Sequence, residues 1–215
     1  GDGPAFGRTI ARAVGVAQQT GALVTLGVRP TRPETGYGYI RPGAPASGAG
    51  SGVAWVETFI EKPNLARARS LVRSGRALWN SGMFVWRVDR ILAELERLLP
   101  EVLGPLARAL RSGGRAALSR AYRRIPAVSI DTGVMERAER VAVVRADFPW
   151  SDVGSWAAVG ELWRGTRNDA NATPGRVVAV ESHGCVVDSP RRYAAVARDD
   201  GGDERRSQEG QEHAR

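Results

Sequence analysis

Apolar residues recur at helical spacing over 6–19, where Phe6, Ile10, Ala13, Val14 and Ala17 share a face, and Thr20-Gly21 breaks the pattern. A short strand is predicted at 22–27, and a helix followed at once by a strand points to α/β architecture. Residues 29–52 are rich in Pro, Gly and Ser; Tyr37-Gly38-Tyr39-Ile40 within them predicts a short strand, and 42–52 a mobile surface loop. Alternation over 53–60 predicts a strand that Pro63 keeps from continuing, and Asn64 is placed to cap a helix over 65–73 closed by Ser74-Gly75.

The apolar run 78–88 is expected to be cut by Asn80-Ser81-Gly82. Asp89 is expected to cap a helix with Ile91, Leu92, Leu95, Leu98 and Leu99 on one face, stopped by Pro100. Further helical pattern covers 102–122 with a break at 112–114, a short helix is expected at 134–138 after Asp131, and a strand at 141–144. Ser155 is placed to cap a helix reaching Trp163, and 176–180 with 185–188 reads as a small hairpin. Residues 199–215 are Gly, charged and Gln residues with almost nothing apolar, which predicts disorder.

Composition narrows the function classes. The chain has 215 residues, 42% hydrophobic and 25% charged, a globular balance sized for one large domain or a little more. Against 23 acidic residues stand 31 basic ones, all arginine except Lys62. The arginines are scattered between acids without a basic stripe, so they read as a solvated surface rather than a nucleic-acid face. The single cysteine, Cys185, excludes an intramolecular disulfide framework, and the two histidines, His183 and His213, argue against His-centred triads and zinc sites. No apolar run is long enough to span a bilayer and no secretory leader pattern opens the sequence, which predicts a cytoplasmic protein without a membrane partner.

Polar clusters at expected strand ends mark where chemistry can sit, because loops there build the ligand sites of α/β sheets. In Glu34-Thr35-Gly36-Tyr37-Gly38-Tyr39 the glycines let backbone approach a ligand and the tyrosines wall it, although for this cluster by itself a tight turn with core tyrosines is the favoured account. Glu61-Lys62-Pro63 pairs a carboxylate able to accept sugar hydroxyls with an ammonium able to meet a phosphate; the alternative is an exposed ion pair before a helix. Since every other basic residue is arginine, the lone lysine weakens that alternative. Asn80 in Trp79-Asn80-Ser81-Gly82-Met83 offers donor and acceptor to a polyol, or simply makes a turn. Asp152 in Trp150-Ser151-Asp152-Val153-Gly154-Ser155-Trp156 either starts a helix or holds a hard cation.

Together the clusters carry a resemblance that none carries alone. The segments 26–40, Phe59-Ile60-Glu61-Lys62-Pro63, Trp79-Asn80-Ser81-Gly82-Met83-Phe84, Ser129-Ile130-Asp131 with Val134-Met135-Glu136, and 150–156 closely resemble, in order, the bacterial mannose-1-phosphate guanylyltransferases. The resemblance covers about residues 6–195. It implies a Rossmann-like nucleotide-diphospho-sugar transferase fold with a mixed sheet. It further implies that Tyr37 and Gly38 contact the sugar, with the Gly38 N–H on a hydroxyl, that Glu61 binds mannose hydroxyls, and that Asn80 meets the sugar ring. Lys62 and Asp152 are the implied catalytic pair, Lys62 on the 1-phosphate and Asp152 as ligand of Mg2+. The implied partners are mannose 1-phosphate and GTP, whose α-phosphorus a 1-phosphate oxygen attacks as pyrophosphate leaves; a homo-oligomer is left open.

The departures set further expectations. That family begins with a glycine-rich Gly-Thr-Arg loop and a downstream Lys, followed by a second metal-binding Asp, and this chain is read as starting after both, so the nucleotide-binding part is expected to be missing and the chain to be a fragment inactive by itself. Residues 1–165 are then the C-terminal portion of the transferase domain, 166–198 the start of a β-rich segment and 199–215 a tail. Thr132-Gly133 replaces a bulkier pair, which puts one pocket wall in question. A non-catalytic sugar-phosphate-binding module, or a transferase for another sugar phosphate or nucleotide, are the alternatives.

Overall fold

In the computed structural model, which describes residues 2–46, 48, 50–112, 114–164, 175–182 and 184–197, helix α1 (Gly3–Thr20) begins where the Asp2 carboxylate accepts the Ala5 N–H at 2.9 Å. It ends at Gly21, whose φ of 64° places it in the left-handed region that lets its N–H reach the Ala17 carbonyl. The buried face of α1, Ala13, Val16 and Ala17, packs with Val24, Leu26, Ala142 and Val144.

The chain then forms β1 (Leu23–Val28), β2 (Tyr39–Pro45), β3 (Val53–Ile60), α2 (Leu65–Arg73) and β4 (Leu78–Val85). After these come α3 (Val88–Leu98), α4 (Pro100–Ser112), α5 (Arg115–Tyr122), a π-helical turn (Asp131–Met135) and β5 (Val141–Arg145). The strands close in the order β1-β4-β2-β3-β5, β5 pairing back onto β1. Within this sheet β1 and β5 alone run parallel, Leu23 opposite Val141, so the sheet is mixed. All six residues of β1 are buried because it has a strand on either side and helix α1 against it. Gly27 is obligatory there: a Cβ would lie 2.6 Å from Leu78 Cδ1 and 2.7 Å from Val143 Cγ2.

Several local expectations hold and others yield to tertiary pairing. The Asn64 cap is formed, its side chain accepting the Arg67 N–H at 2.9 Å. Residues 42–45 are not loop; β2 runs to Pro45 against β3, with irregular register around Pro42 and Pro45, whose missing N–H groups cannot complete the ladder. Asn80-Ser81-Gly82 does not cut β4, because the Asn80 N–H is bound by the Gly38 carbonyl at 2.8 Å and Gly82 takes a φ of 71° within the strand. Asp89 does not cap α3; Arg87 occupies the cap position and pairs with Asp89 in the first turn at 3.0 Å. Pro100 opens α4 rather than only ending α3, since a first helical position needs no N–H. The short helix expected at 134–138 is instead the π-helical turn beginning at Asp131.

The chain divides into two compact units, Gly1–Trp150 and Ser151–Arg215. In the second, Ser155 caps α6 (Trp156–Arg164), its hydroxyl accepting the Ala158 N–H at 3.2 Å. The expected hairpin is corrected: β6 (Gly175–Val180) pairs in parallel with β7 (Ser189–Ala197), Val177 opposite Ala194, while 185–188 holds only a single bridge residue, Val186. A tight two-residue turn cannot join parallel strands, so the two do not form a hairpin. The tail expected at 199–215 lies outside the described residues.

Candidate functional site

The start of β2, the turn after β3, β4 and the π-helical turn bring four of the expected residues together. Gly38 is buried, and its missing Cβ is what the site needs: a methyl there would stand 2.6 Å from Glu61 Oε2 and 3.3 Å from Asn80 Cβ. Backbone is therefore the only group that fits between the Glu61 carboxylate and the Asn80 side chain.

Asn80 is 8% exposed and its amide is held on both ends. Its oxygen accepts the Thr25 hydroxyl at 3.0 Å and the Gly82 N–H at 3.2 Å, and its nitrogen donates to Asp131 Oδ1 at 2.9 Å. Strand alternation puts neighbouring Trp79 on the other face of β4, in the cluster with Val28, Tyr39, Ile60 and Leu71. Thr25, wholly buried, exists as a polar residue in β1 because it has Asn80 to bind.

Glu61 and Lys62 follow β3, and the Glu61 N–H donates to Glu136 Oε1 at 2.9 Å. Lys62 has a φ of 42°, left-handed backbone that a side chain rarely adopts, and strain of this kind collects at functional sites. Its ammonium lies 3.1 Å from Glu61 Oε1, with the lysine side chain 65% exposed and the glutamate 19%. Such an exposed pair contributes little to stability.

Tyr37 turns its ring into an aromatic group, edge-on to Trp79 at 5.2 Å and to Trp150 at 5.4 Å, with the Arg32 guanidinium 5.8 Å from the Trp79 ring centre. The loop before it is clamped by Tyr39, whose buried hydroxyl donates to the Glu34 carbonyl and accepts the Glu34 N–H, both at 2.9 Å. The Glu34 carboxylate accepts the Gly36 and Thr35 N–H groups; chiefly the Gly36 bond holds its pKa below the ordinary value, with Thr35 and Arg32 adding and burial opposing.

The wall questioned at Thr132-Gly133 has a packing explanation. Gly133 is buried, and a Cβ would stand 2.9 Å from Leu99 Cδ1 and 3.1 Å from Val128 Cγ2. Asp152 belongs to the second unit and is exposed; its Oδ2 would be 2.6 Å from a Cβ on Gly154, so the carboxylate lies over glycine backbone. Among the described residues no group of three or more His, Cys, Asp or Glu gathers as a metal cage. A lone carboxylate fits Mg2+ as one protein ligand of an ion that keeps waters and substrate phosphates, and does not fit a dedicated metal centre.

Asp131 and Glu136 lie in one of the segments that carry the family resemblance, and no role is legible for either in the sequence. Their five-residue spacing across a turn is the only local signal, and which partners they meet is decided by long-range contact. A cavity of about 920 Å³ in the first unit is lined by Arg29, Arg76 and Arg145 among others, and by none of the residues just described. Among the described residues no helix is long and apolar enough to cross a membrane.

Comparison with known proteins gives this geometry its family. The Nucleotidyl transferase family profile matches residues 3–169, and that match lends no support to the expectation of a missing N-terminal part. The mannose-1-phosphate guanylyltransferase of Sinorhizobium fredii is 39% identical over 197 residues, 88% of this chain and 37% of the relative. The alginate biosynthesis protein AlgA of Pseudomonas aeruginosa is 38% identical over 200 residues, 91% of this chain and 41% of the relative. The chain thus spans about two fifths of the length of these curated relatives. A Thermus thermophilus crystal structure described as a mannose-1-phosphate geranyltransferase superposes with a TM-score of 0.76 at 40% identity, covering 92% of this chain and 56% of that one. With an α/β fold, a mixed sheet and a profile match across most of its length, the chain belongs to the Nucleotidyl transferase family.

Proposed function

We propose that this chain binds mannose 1-phosphate for transfer of GMP from GTP, the products being GDP-mannose and pyrophosphate. The observation that carries the reading is the close approach of Gly38 backbone to Glu61 and Asn80, with Lys62 beside the same carboxylate. Glu61 accepts sugar hydroxyls, and the Gly38 N–H donates to one. Lys62 exchanges a weak exposed ion pair for the 1-phosphate, a contact that suits a compact ammonium better than a broad guanidinium. Relatives named mannose-1-phosphate guanylyltransferase support the choice of sugar and nucleotide.

In the transfer, a 1-phosphate oxygen bonds to the α-phosphorus of GTP while the bond to the bridging oxygen of the β-phosphate breaks and pyrophosphate departs with that oxygen. The contribution of these residues is to hold the attacking phosphate in line and to neutralise its charge. Asp152 would hold Mg2+, which when bound supplies further neutralisation of phosphate charge.

Calorimetry on residues 1–215 tests the reading. Saturable binding of mannose 1-phosphate is expected, weakened about tenfold or more by Glu61→Gln, because hydrogen bonds to a charged group contribute roughly 1.5–3 kcal/mol. Binding no tighter than that of inorganic phosphate overturns it, and tighter binding of glucose 1-phosphate transfers it to another sugar. Pyrophosphate release with GTP, with and without Asp152→Asn across a magnesium titration, measures whether residues 1–215 carry out the whole reaction.

A further inference from the structure

We infer that Asp131 is a sugar-binding, selectivity-determining residue of this site, and that it leaves Asn80 as a hydrogen-bond donor only. The inference rests on the sugar-phosphate reading above and concerns how that site tells one hydroxyl pattern from another.

The Asn80 amide has one possible orientation. Its oxygen faces the Gly82 N–H, a backbone group that can only donate, and its nitrogen faces the Asp131 carboxylate, which when ionised can only accept. Two groups of fixed polarity agree, so the amide cannot be turned over. The Thr25 hydroxyl then necessarily donates to the same oxygen.

A carbonyl oxygen has two lone pairs, and Thr25 and Gly82 occupy both on Asn80. Of the two amide hydrogens, one is given to Asp131 Oδ1 and one remains. A residue expected from its chemistry to donate and accept therefore has only a donor to offer a polyol. Asp131 supplies the missing acceptor: Oδ1 takes one hydrogen bond, and Oδ2 makes none among the described residues. Asp131 is half-buried, so the carboxylate is neither sealed in the core nor fully dispersed in water.

Position in the fold supports the same role. Asp131 is the first residue of the π-helical turn, an element whose extra residue re-aims side chains and that recurs at functional sites. The segment ends at Glu136, which accepts the Glu61 N–H and so fixes the backbone that presents the other carboxylate. One short segment thus orients Asn80, supplies a second carboxylate and anchors Glu61. The ligand class is a pyranose bearing hydroxyls on the two sides where Asp131 and Glu61 accept. Glu136 acts through Glu61 and is a positioning residue.

The test compares mannose 1-phosphate with its 2-, 3-, 4- and 6-deoxy analogues, by calorimetry, in the unmodified chain, Asp131→Asn and Asp131→Ala. Asp131→Asn keeps an oxygen for Asn80, so its thermal unfolding midpoint is expected to stay close to that of the parent. In the unmodified chain one deoxy analogue binds about tenfold or more weakly than the parent sugar. In both variants that ratio collapses to about threefold or less, because the acceptor whose loss it measures is gone. A merely structural Asp131 would weaken all five ligands together and preserve every ratio, and that result overturns the inference. Failure of the unmodified chain to bind mannose 1-phosphate instead overturns the site reading, and the inference with it.

Discussion

Gly38→Ala separates what the site needs from what the fold needs. Gly38 does not have a positive φ, so alanine meets no backbone strain and the whole effect is steric. The new methyl would stand 2.6 Å from Glu61 Oε2; reaching ordinary contact at 3.4 Å requires a retreat of about 0.8 Å, the difference of the two. The obstructing atom is the end of a flexible side chain, and its ion-pair partner Lys62 is 65% exposed and able to follow it, so yielding costs little. The Asn80 N–H to Gly38 carbonyl bond involves backbone only and survives. A stability loss of about 1 kcal/mol is expected, a fall of about 2–4 °C in midpoint for a unit of this size. Binding should suffer far more, because the displaced carboxylate is the proposed hydroxyl acceptor: about tenfold or more weaker mannose 1-phosphate by calorimetry. Gly27→Ala is the control, since its methyl would meet Leu78 Cδ1 at 2.6 Å and Val143 Cγ2 at 2.7 Å in the core. There the loss falls on stability, about 1–3 kcal/mol or more in urea unfolding. An unchanged Kd in folded Gly38→Ala would refute the proposed contact.

Two further predictions use features outside that contact. Lys62→Gly relieves the left-handed backbone at φ 42° and should raise stability by about 1 kcal/mol while weakening sugar-phosphate binding; Lys62→Arg, which keeps charge, should weaken binding without the gain. Equal affinity in Lys62→Arg and the parent would argue against a phosphate contact. The Trp79 indole N–H is buried with no hydrogen-bond partner among the described residues, so Trp79→Phe removes a donor whose burial costs about 1–3 kcal/mol and offsets the loss of ring area. Urea unfolding should show stability within about 1 kcal/mol of the parent, and a much larger fall would mean that the N–H is satisfied.

The elements that the sequence predicts well are those closed by neighbours in the chain. Asn64 and the Arg67 N–H it caps are three residues apart, and Ser155 and Ala158 likewise, so side-chain chemistry and helical period suffice to place both helices. Glu61 and Lys62 stood out for a similarly local reason, a carboxylate and the only lysine side by side. Where a turn or loop was expected and a strand formed, a distant partner had decided the outcome. Turn residues at Asn80-Ser81-Gly82 stayed in a strand because Gly38 binds the Asn80 N–H, and Pro42 stayed in a ladder because Val56 lies opposite. Local propensity is worth tenths of a kcal/mol per residue, less than the pairing that overrode it.

The sequence by itself determined an α/β chain, its principal helices and strands, and the acidic, amide and lysine groups from which a sugar-phosphate site can be built. Tertiary structure alone decided that β5 closes on β1, that β6 and β7 run parallel, and which groups are left for a ligand. Asp131 reaches Asn80 across 51 residues and Glu136 reaches Glu61 across 75, separations over which no periodicity carries information. Those contacts exist because the sheet brings four segments to one place. Once they form, the lone pairs and hydrogens already used fix what each side chain can still offer.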